Sequence, residues 1–187
     1  GVPEGAELVH CRGRTIVPGL VDGRVFIGEP GAEHRETIAS ASEAAAAGGV
    51  TSMVMMPDTN PVIDDVALVE FVLRTARDTA SVNVHPAAAI TKKLEGIEMP
   101  EFGLLREAGA VAFTDGRHTI ANPLVMRRAL TYARDFGAVI AHETQDAAVR
   151  DKSPKRVVMV VQVILKREGG RARTVVRKCR AAAIELF

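Results

Sequence analysis

Side chains capable of acid–base or metal chemistry stand near the ends of several apolar segments. Five of them share this placement, namely Asp22, Asp58, His85, Asp115 and His142. Carboxylates and neutral imidazoles are ligands of divalent metals, and a catalytic zinc needs about three protein ligands with an open position for water. Each also has a structural explanation, because aspartate before glycine is typical of a turn and a lone histidine is commonly hydrogen-bonded to its neighbours.

The apolar segments alternate with helix-forming segments. Residues 15–31 are predicted to hold a buried strand that ends at Asp22 and runs into a loop. Further strands are predicted at 50–56, 81–90, 110–114 and 138–141, and helices at 33–47, 64–79, 101–108 and 123–136. The first helix should begin with Glu33 and Glu36 in its first turn, and Asp64 or Asp65 should cap the second. Nearly continuous apolar strands between helices indicate a parallel sheet covered on both faces.

An α/β barrel of the (β/α)₈ type fits this order best, and the chemistry of such a barrel lies at the C-terminal ends of its strands. A doubly wound sheet is the alternative, but no G-x-G-x-x-G follows a strand.

Composition indicates a soluble cytoplasmic protein. The chain has 187 residues, 47% apolar and 25% charged, and Cys11 and Cys179 have no C-x-x-C partner. No apolar run approaches the roughly 20 residues of a membrane helix. The net charge of +1 conceals a division, because residues 1–146 hold 13 Lys and Arg against 20 Asp and Glu, whereas residues 147–187 hold 11 against 3.

Four segments resemble the dihydroorotases of the amidohydrolase superfamily. They are VPGLVD followed by EPG (residues 17–31), MMPDTNPVIDD (55–65), AGAVAFTDG (108–116) and AVIAHETQD (138–146). The resemblance covers roughly residues 5–146. It implies a partial barrel of about five βα units, hydrolysis of a cyclic amide between N-carbamoyl-aspartate and dihydroorotate in pyrimidine synthesis, and zinc or another divalent metal.

The first strand departs from the family pattern. Arg24 and Phe26 stand where the family has two metal-binding histidines, and Gly28 stands where it has a substrate-binding arginine. Neither a guanidinium nor a phenyl ring offers the lone pair of an imidazole, so we do not expect the metal to bind in the usual way. We expect Arg24 to fill the vacated position and to pair with Asp115.

The remaining site residues follow from the resemblance. Asp115 matches an aspartate that bridges two metals in one branch of the family, and His142 matches a metal ligand. Asp58 and Asn60 lie in the substrate loop, where Asp58 replaces an asparagine that contacts substrate, and its carboxylate would repel a dicarboxylate.

Three segments are predicted. Residues 1–14, with a short strand at 7–11, would be the end of a small β-sandwich, residues 15–146 the partial barrel, and residues 147–187 a divergent basic tail. That tail is interpreted as frame-shifted or truncated sequence, as a genuine divergent or disordered end, or as a nucleic-acid-binding extension, which its single aromatic residue, Phe187, disfavours.

Three functional hypotheses follow. The first is a dihydroorotase-like protein without catalytic power, retained as a partner of aspartate transcarbamoylase, and the second is an active hydrolase rearranged around Asp115 and His142. The third is nucleic-acid binding through the tail. Five strands cannot close a barrel, so we also expect self-association.

Overall fold

A computed structural model describes residues 3, 5–7 and 9–143, together with two later strands. In chain order the elements are β1 (Leu20–Val25), α1 (Ile38–Ala47), β2 (Val50–Met55), α2 (Val66–Thr79), β3 (Asn83–Ala88), α3 (Phe102–Glu107), β4 (Ala112–Phe113), α4 (Pro123–Asp135), β5 (Ile140–Glu143), β6 (Met159–Leu165) and β7 (Arg173–Lys178). A 3₁₀ turn, Lys92–Leu94, lies between β3 and α3. The predicted alternation of strands and helices up to β5 is confirmed.

The strands form one sheet in chain order. Strands β1 to β5 run parallel, whereas β6 pairs antiparallel with β5 and β7 pairs antiparallel with β6. The two later strands therefore do not continue the parallel βα repeat. The origin of the tail stays a prediction, since residues 147–158, 166–172 and 179–187 lie outside the described residues.

The core lies between the parallel strands and the helices that cover them. Its largest fully buried side chains include Phe102, Phe113, Ile38, Met53, Met55, Val69 and Val72. Phe102 stacks on Phe113 with ring centroids 4.3 Å apart and on Tyr132 at 5.4 Å. Burial of each such side chain contributes about 1.5–3 kcal/mol to folding, so this core holds the strand ends in place.

Strand β1 differs from the prediction in its end and its burial. It extends past the predicted end at Asp22 to Val25, and Leu20 and Val21 are 61% and 70% exposed. In the described sheet β1 pairs with β2 alone, so its outer edge has no neighbour to cover it. The prediction of a buried first strand is therefore wrong for its N-terminal half.

Helix α1 begins later than predicted. The cap is Thr37, whose hydroxyl accepts a hydrogen bond from the backbone N–H of Ser40, while the Ser40 hydroxyl accepts one from the Thr37 N–H. This reciprocal capping satisfies two N–H groups that the helix leaves unpaired. Glu33 and Glu36 consequently precede the helix, and the prediction that they lie in its first turn is wrong.

The cap of α2 is Asp65, which accepts a hydrogen bond from the N–H of Ala67 at 2.8 Å. Asp64 instead accepts one from the N–H of Lys93 at 2.8 Å. Of the two predicted caps, the second is confirmed.

The described residues among 7–11, namely 7 and 9–11, form no strand, which contradicts the short strand predicted there. The assignment of residues 1–14 to a β-sandwich stays a prediction. Among the described residues, every helix is too short or too polar to cross a membrane.

Candidate functional site

The sheet curls so that the C-terminal ends of β1 and β5 approach each other. The opening between these strand ends is called the mouth of the sheet. Arg24 at the end of β1 forms an ion pair through its Nη2 with the carboxylate of Glu143 at the end of β5. The same nitrogen donates a hydrogen bond to the carbonyl oxygen of Gly116 at 3.3 Å. The Arg24 side chain is 30% exposed and that of Glu143 11% exposed, so this pair is largely withdrawn from water.

Phe26 connects this pair to a second one. The Arg24 guanidinium lies 5.2 Å from the centroid of the Phe26 ring, and the Arg117 guanidinium lies 4.0 Å from it. Arg117 in turn forms an ion pair with Asp58, with Nε 3.5 Å from Oδ2. Cations within about 6 Å of an aromatic centroid are attracted by the ring quadrupole. The mouth thus holds two guanidiniums, two carboxylates and one aromatic ring.

The predicted pairing of Arg24 with Asp115 is wrong. Asp115 Oδ1 accepts hydrogen bonds from the N–H groups of Ile90 and Thr91 at 2.8 and 2.9 Å, and Oδ2 accepts one from the Thr91 hydroxyl at 2.5 Å. Asp115 is only 1% exposed. Its carboxylate is directed to the loop after β3, so Arg24 pairs with Glu143 instead.

Asp115 supports the loop after β3 both directly and through Thr91. Thr91, which Asp115 holds, accepts a hydrogen bond through its hydroxyl oxygen from the N–H of Gly96 at 2.9 Å. Between them, Lys93 and Leu94 adopt positive φ angles of 54° and 61°, a conformation that non-glycine residues rarely adopt. Burial raises the pKa of Asp115, against the opposing effect of its hydrogen bonds.

His142 lies two residues after Ile140, which pairs with Phe113 of β4. Asp115 lies two residues after Phe113, just beyond the end of β4, whereas His142 lies within β5. Among the described residues, the Nδ1 atom of His142 is buried without a hydrogen-bond partner. Burial lowers the pKa of His142, with Glu143 opposing the shift, which favours the neutral imidazole.

The substrate loop predicted at 57–61 follows β2. Asp58 forms its ion pair with Arg117 at the mouth. Burial raises the pKa of Asp58, and the positive charges of Arg117, His118 and Arg24 oppose this shift. Asn60 is exposed, and its N–H donates a hydrogen bond to the carbonyl of Pro30 at 3.1 Å. The roles of both residues toward substrate stay predictions.

The two other predicted strand-end residues, Asp22 and His85, make contacts within the sheet. Asp22 accepts a hydrogen bond from the N–H of Arg24 at 3.0 Å, and His85 lies within β3 opposite Val54.

The residues present do not fit a divalent metal. Among the described residues, no three His, Cys, Asp or Glu side chains gather in a way that could hold an ion. Asp115 is engaged by three donors and Glu143 by Arg24, and a guanidinium close to the position repels a cation. His142 Nδ1 is a buried acceptor that could serve as a ligand, but one nitrogen does not make a zinc site.

Sequence reasoning missed Glu143, Arg117 and Thr91. Glu143 is the neighbour of His142 and Arg117 follows Asp115 by two positions, so proximity to the predicted residues was the available signal. Thr91 carried no comparable signal, because its role depends on how the loop after β3 folds back to Asp115.

Comparison with solved structures identifies the fold class. The L-hydantoinase (dihydropyrimidinase) from Arthrobacter aurescens superimposes with a TM-score of 0.62 over 72% of this chain and 31% of that one, at 22% identity. The described architecture is therefore a partial α/β barrel, a curled sheet of five parallel strands with helices, as predicted.

Comparison with known sequences gives the family. A model of the family described as dihydro-orotase-like matches residues 13–184. The dihydroorotase of Syntrophus aciditrophicus is 44% identical over 145 residues, covering 78% of this chain and 34% of the relative. That of the Wolbachia of Brugia malayi is 45% identical over 147 residues, covering 78% and 33%.

The chain belongs to the dihydroorotase-like family of amidohydrolases. It spans about one third of the length of the curated relatives that it matches. The predicted family membership is confirmed, and the predicted end of the resemblance at residue 146 differs from the family match, which extends to residue 184.

Proposed function

We propose that this chain is part of a dihydroorotase-like protein of pyrimidine biosynthesis that acts in the cytoplasm without hydrolysing dihydroorotate itself. Family membership supports the pathway, since two relatives at 44% and 45% identity are dihydroorotases. The contact of Arg24 with Glu143 supports the absence of catalysis, because it occupies the ends of β1 and β5 with an ion pair. That contact is the observation on which the proposal depends.

Retention of a non-catalytic protein implies a binding role. The partner we propose is aspartate transcarbamoylase, whose product N-carbamoyl-aspartate is the substrate of dihydroorotase. An inactive relative would stabilise or position the transcarbamoylase without completing the next reaction.

Hydrolysis of dihydroorotate by the purified chain, with and without added zinc, tests the catalytic part. We expect no turnover above buffer and no zinc retained after gel filtration. Turnover that depends on zinc would contradict the proposal. A matched test of partnership is co-elution of the chain with aspartate transcarbamoylase from the same organism, and independent elution of the two proteins would remove the binding role.

A second candidate function is an active hydrolase with a site rearranged around Asp115 and His142. The Nδ1 of His142 favours it, because this buried atom has no hydrogen-bond partner in the part of the chain that the structure describes and is available to a metal or to a substrate proton. This hypothesis expects turnover that His142→Ala abolishes and that Arg77→Ala, a change at an exposed ion pair, leaves intact. Turnover unaffected by His142→Ala would exclude this site.

A further inference from the structure

The charges at the mouth of the sheet balance one another. Arg24 pairs with Glu143, and Arg117 pairs with Asp58. Within these two pairs, which lie in the described part of the chain, two positive and two negative side chains meet around Phe26. Three of the four are well withdrawn from water, with side-chain exposures of 30% for Arg24, 11% for Glu143 and 14% for Asp58, whereas Arg117 is 65% exposed.

A divalent ion added to these two ion pairs would bring two further positive charges. An ion near Glu143 would compete with the Arg24 guanidinium for the same oxygen and would lie close to its positive charge. Repulsion between cations a few ångströms apart is strong at the low effective dielectric of a partly buried site, and it doubles for a dication. The guanidinium supplies the positive charge that the carboxylate needs.

The geometry of Arg24 also suits a structural link. Its Nη2 reaches two acceptors near two other strand ends, the Glu143 carboxylate at the end of β5 and the Gly116 carbonyl after β4. Its guanidinium lies near the Phe26 ring. Because an arginine presents several donors in a planar fork, one side chain can satisfy several groups at once, as a metal ion does.

The link joins distant parts of the chain. Arg24 and Glu143 are 119 residues apart in sequence, and they stand on the first and the last of the five parallel strands. Contacts between neighbouring strands hold each strand to the next, but this ion pair spans the open mouth directly.

We propose that Arg24 is the resident cation of this site and that its pair with Glu143 forms a metal-independent clasp between β1 and β5. The clasp takes the position in which the family resemblance places a metal, and its residues exclude one. This inference concerns stability and metal exclusion, so it does not depend on whether aspartate transcarbamoylase is the partner.

A double-mutant cycle on the full 187-residue chain tests the clasp. Arg24→Met and Glu143→Gln should each lower the thermal midpoint by about 5 °C, because each removes one side of an ion pair that is partly buried. The double variant should lose about as much as the worse single variant. Additive losses would mean that the two side chains do not act together and would overturn the proposal.

The exposed pair Arg77 and Asp78 provides the matched control, with side-chain exposures of 74% and 60%. Arg77→Met and Asp78→Asn should change the midpoint by less than about 2 °C, without coupling, because exposed pairs contribute little. If Arg24→Met does not fold, Arg24→Lys takes its place in the cycle, since it keeps the charge and loses the planar fork. Coupling with Glu143→Gln is then expected to be weaker but present, and its absence would again overturn the clasp.

Metal titration tests the exclusion. The thermal midpoint of the unchanged chain should be the same in EDTA and in a several-fold excess of Zn²⁺ or Mn²⁺. A saturable rise of the midpoint with either ion would show that a metal binds the folded chain, because a ligand selective for the native state stabilises it. That result, with calorimetry giving about one ion per chain and loss of binding in Glu143→Gln, would overturn the proposal.

Discussion

Asp115 and Glu143, two carboxylates at neighbouring strand ends, serve different partners. Asp115 is enclosed and accepts three hydrogen bonds from Ile90 and Thr91. Glu143 faces the mouth and accepts from Arg24. Backbone donors beside Asp115 replace the water that its carboxylate loses on burial, and a long arginine does the same for Glu143. The residue that resembles a metal ligand is thus a support for the loop after β3.

Substitution of Asp115 should reveal this role. Asp115→Ala removes the acceptor of two buried N–H groups and should lower the free energy of unfolding by about 3 kcal/mol, whereas Asp115→Asn keeps one oxygen for them and should cost about 1 kcal/mol. Urea unfolding measures both. Thr91→Val removes both the hydroxyl donor to Asp115 and the acceptor of the Gly96 N–H, and leaves the backbone donors, so it should cost more than Asp115→Asn. Equal losses for Asp115→Ala and Asp115→Asn would contradict the loop-anchoring role.

His142 should make stability depend on pH. Burial lowers the pKa of His142 below 6.5, the ordinary value for a histidine. As the pH falls, this side chain is therefore protonated in the unfolded chain before it is protonated in the folded one. The contribution of the neutral imidazole is complete above about pH 6.5 and is lost as the pH falls through the lowered pKa. We expect urea unfolding between pH 8 and 5 to show a steeper loss for the unchanged chain than for His142→Leu. Parallel profiles would mean that His142 is not desolvated.

At the scale of the element, local capping decides where helix α1 begins. Thr37 and Ser40 exchange hydrogen bonds, and the N–H of Ile38 donates to Glu29 Oε2 at 2.8 Å. Glu29 lies in the loop after β1, so the start of the helix is tied to the strand end that presents Arg24. Helix-forming composition upstream of Thr37 does not extend the helix, because these bonds already satisfy its first N–H groups.

Loss of the Thr37 cap should lower the stability of the folded chain. Thr37→Ala should lower the free energy of unfolding by about 1 kcal/mol, the usual cost of removing a threonine cap. Thr79→Ala is the control, because Thr79 is exposed, donates only to the carbonyl of Thr75 within α2 and caps no helix start. Its effect should stay within about 0.5 kcal/mol. Thermal or urea unfolding compares the two, and equal effects would rule out the capping argument.

At the scale of the whole molecule, the described sheet combines a polar mouth with an apolar edge at β1. Large apolar side chains on and before β1 stay exposed, including Ile16 at 78%, Val17 at 68% and Val21 at 70%. In the described sheet β1 has a neighbour on one side only. An exposed apolar edge strand is a template for pairing with another chain, so the predicted self-association remains our expectation.

A charge placed on this edge should reduce the association. We expect the unchanged chain to sediment as dimers or larger species at micromolar concentration and Val21→Lys to shift it toward monomer, because a lysine on an edge strand opposes pairing. Leu124→Lys is the control at an exposed residue of α4, 59% exposed, and should leave the distribution unchanged. A monomeric unchanged chain would refute the prediction.

The amino-acid sequence by itself determined the order of elements and the family. Nearly continuous apolar strands separated by helix formers lead to a covered parallel sheet. Short motifs at successive strand ends identify the relatives. Both properties are local, so they can be predicted without coordinates.

Tertiary structure decided which charges meet. Arg24 lies 119 residues from Glu143 in sequence, and only the curl of the sheet brings them together. Asp115 was the expected partner of Arg24, but backbone donors of the loop after β3 reached its carboxylate instead. The sequence places a cation at position 24, where the resemblance to the family predicts a histidine. Which carboxylate neutralises that cation depends on which groups are already satisfied, and hydrogen bonds across strands determine that.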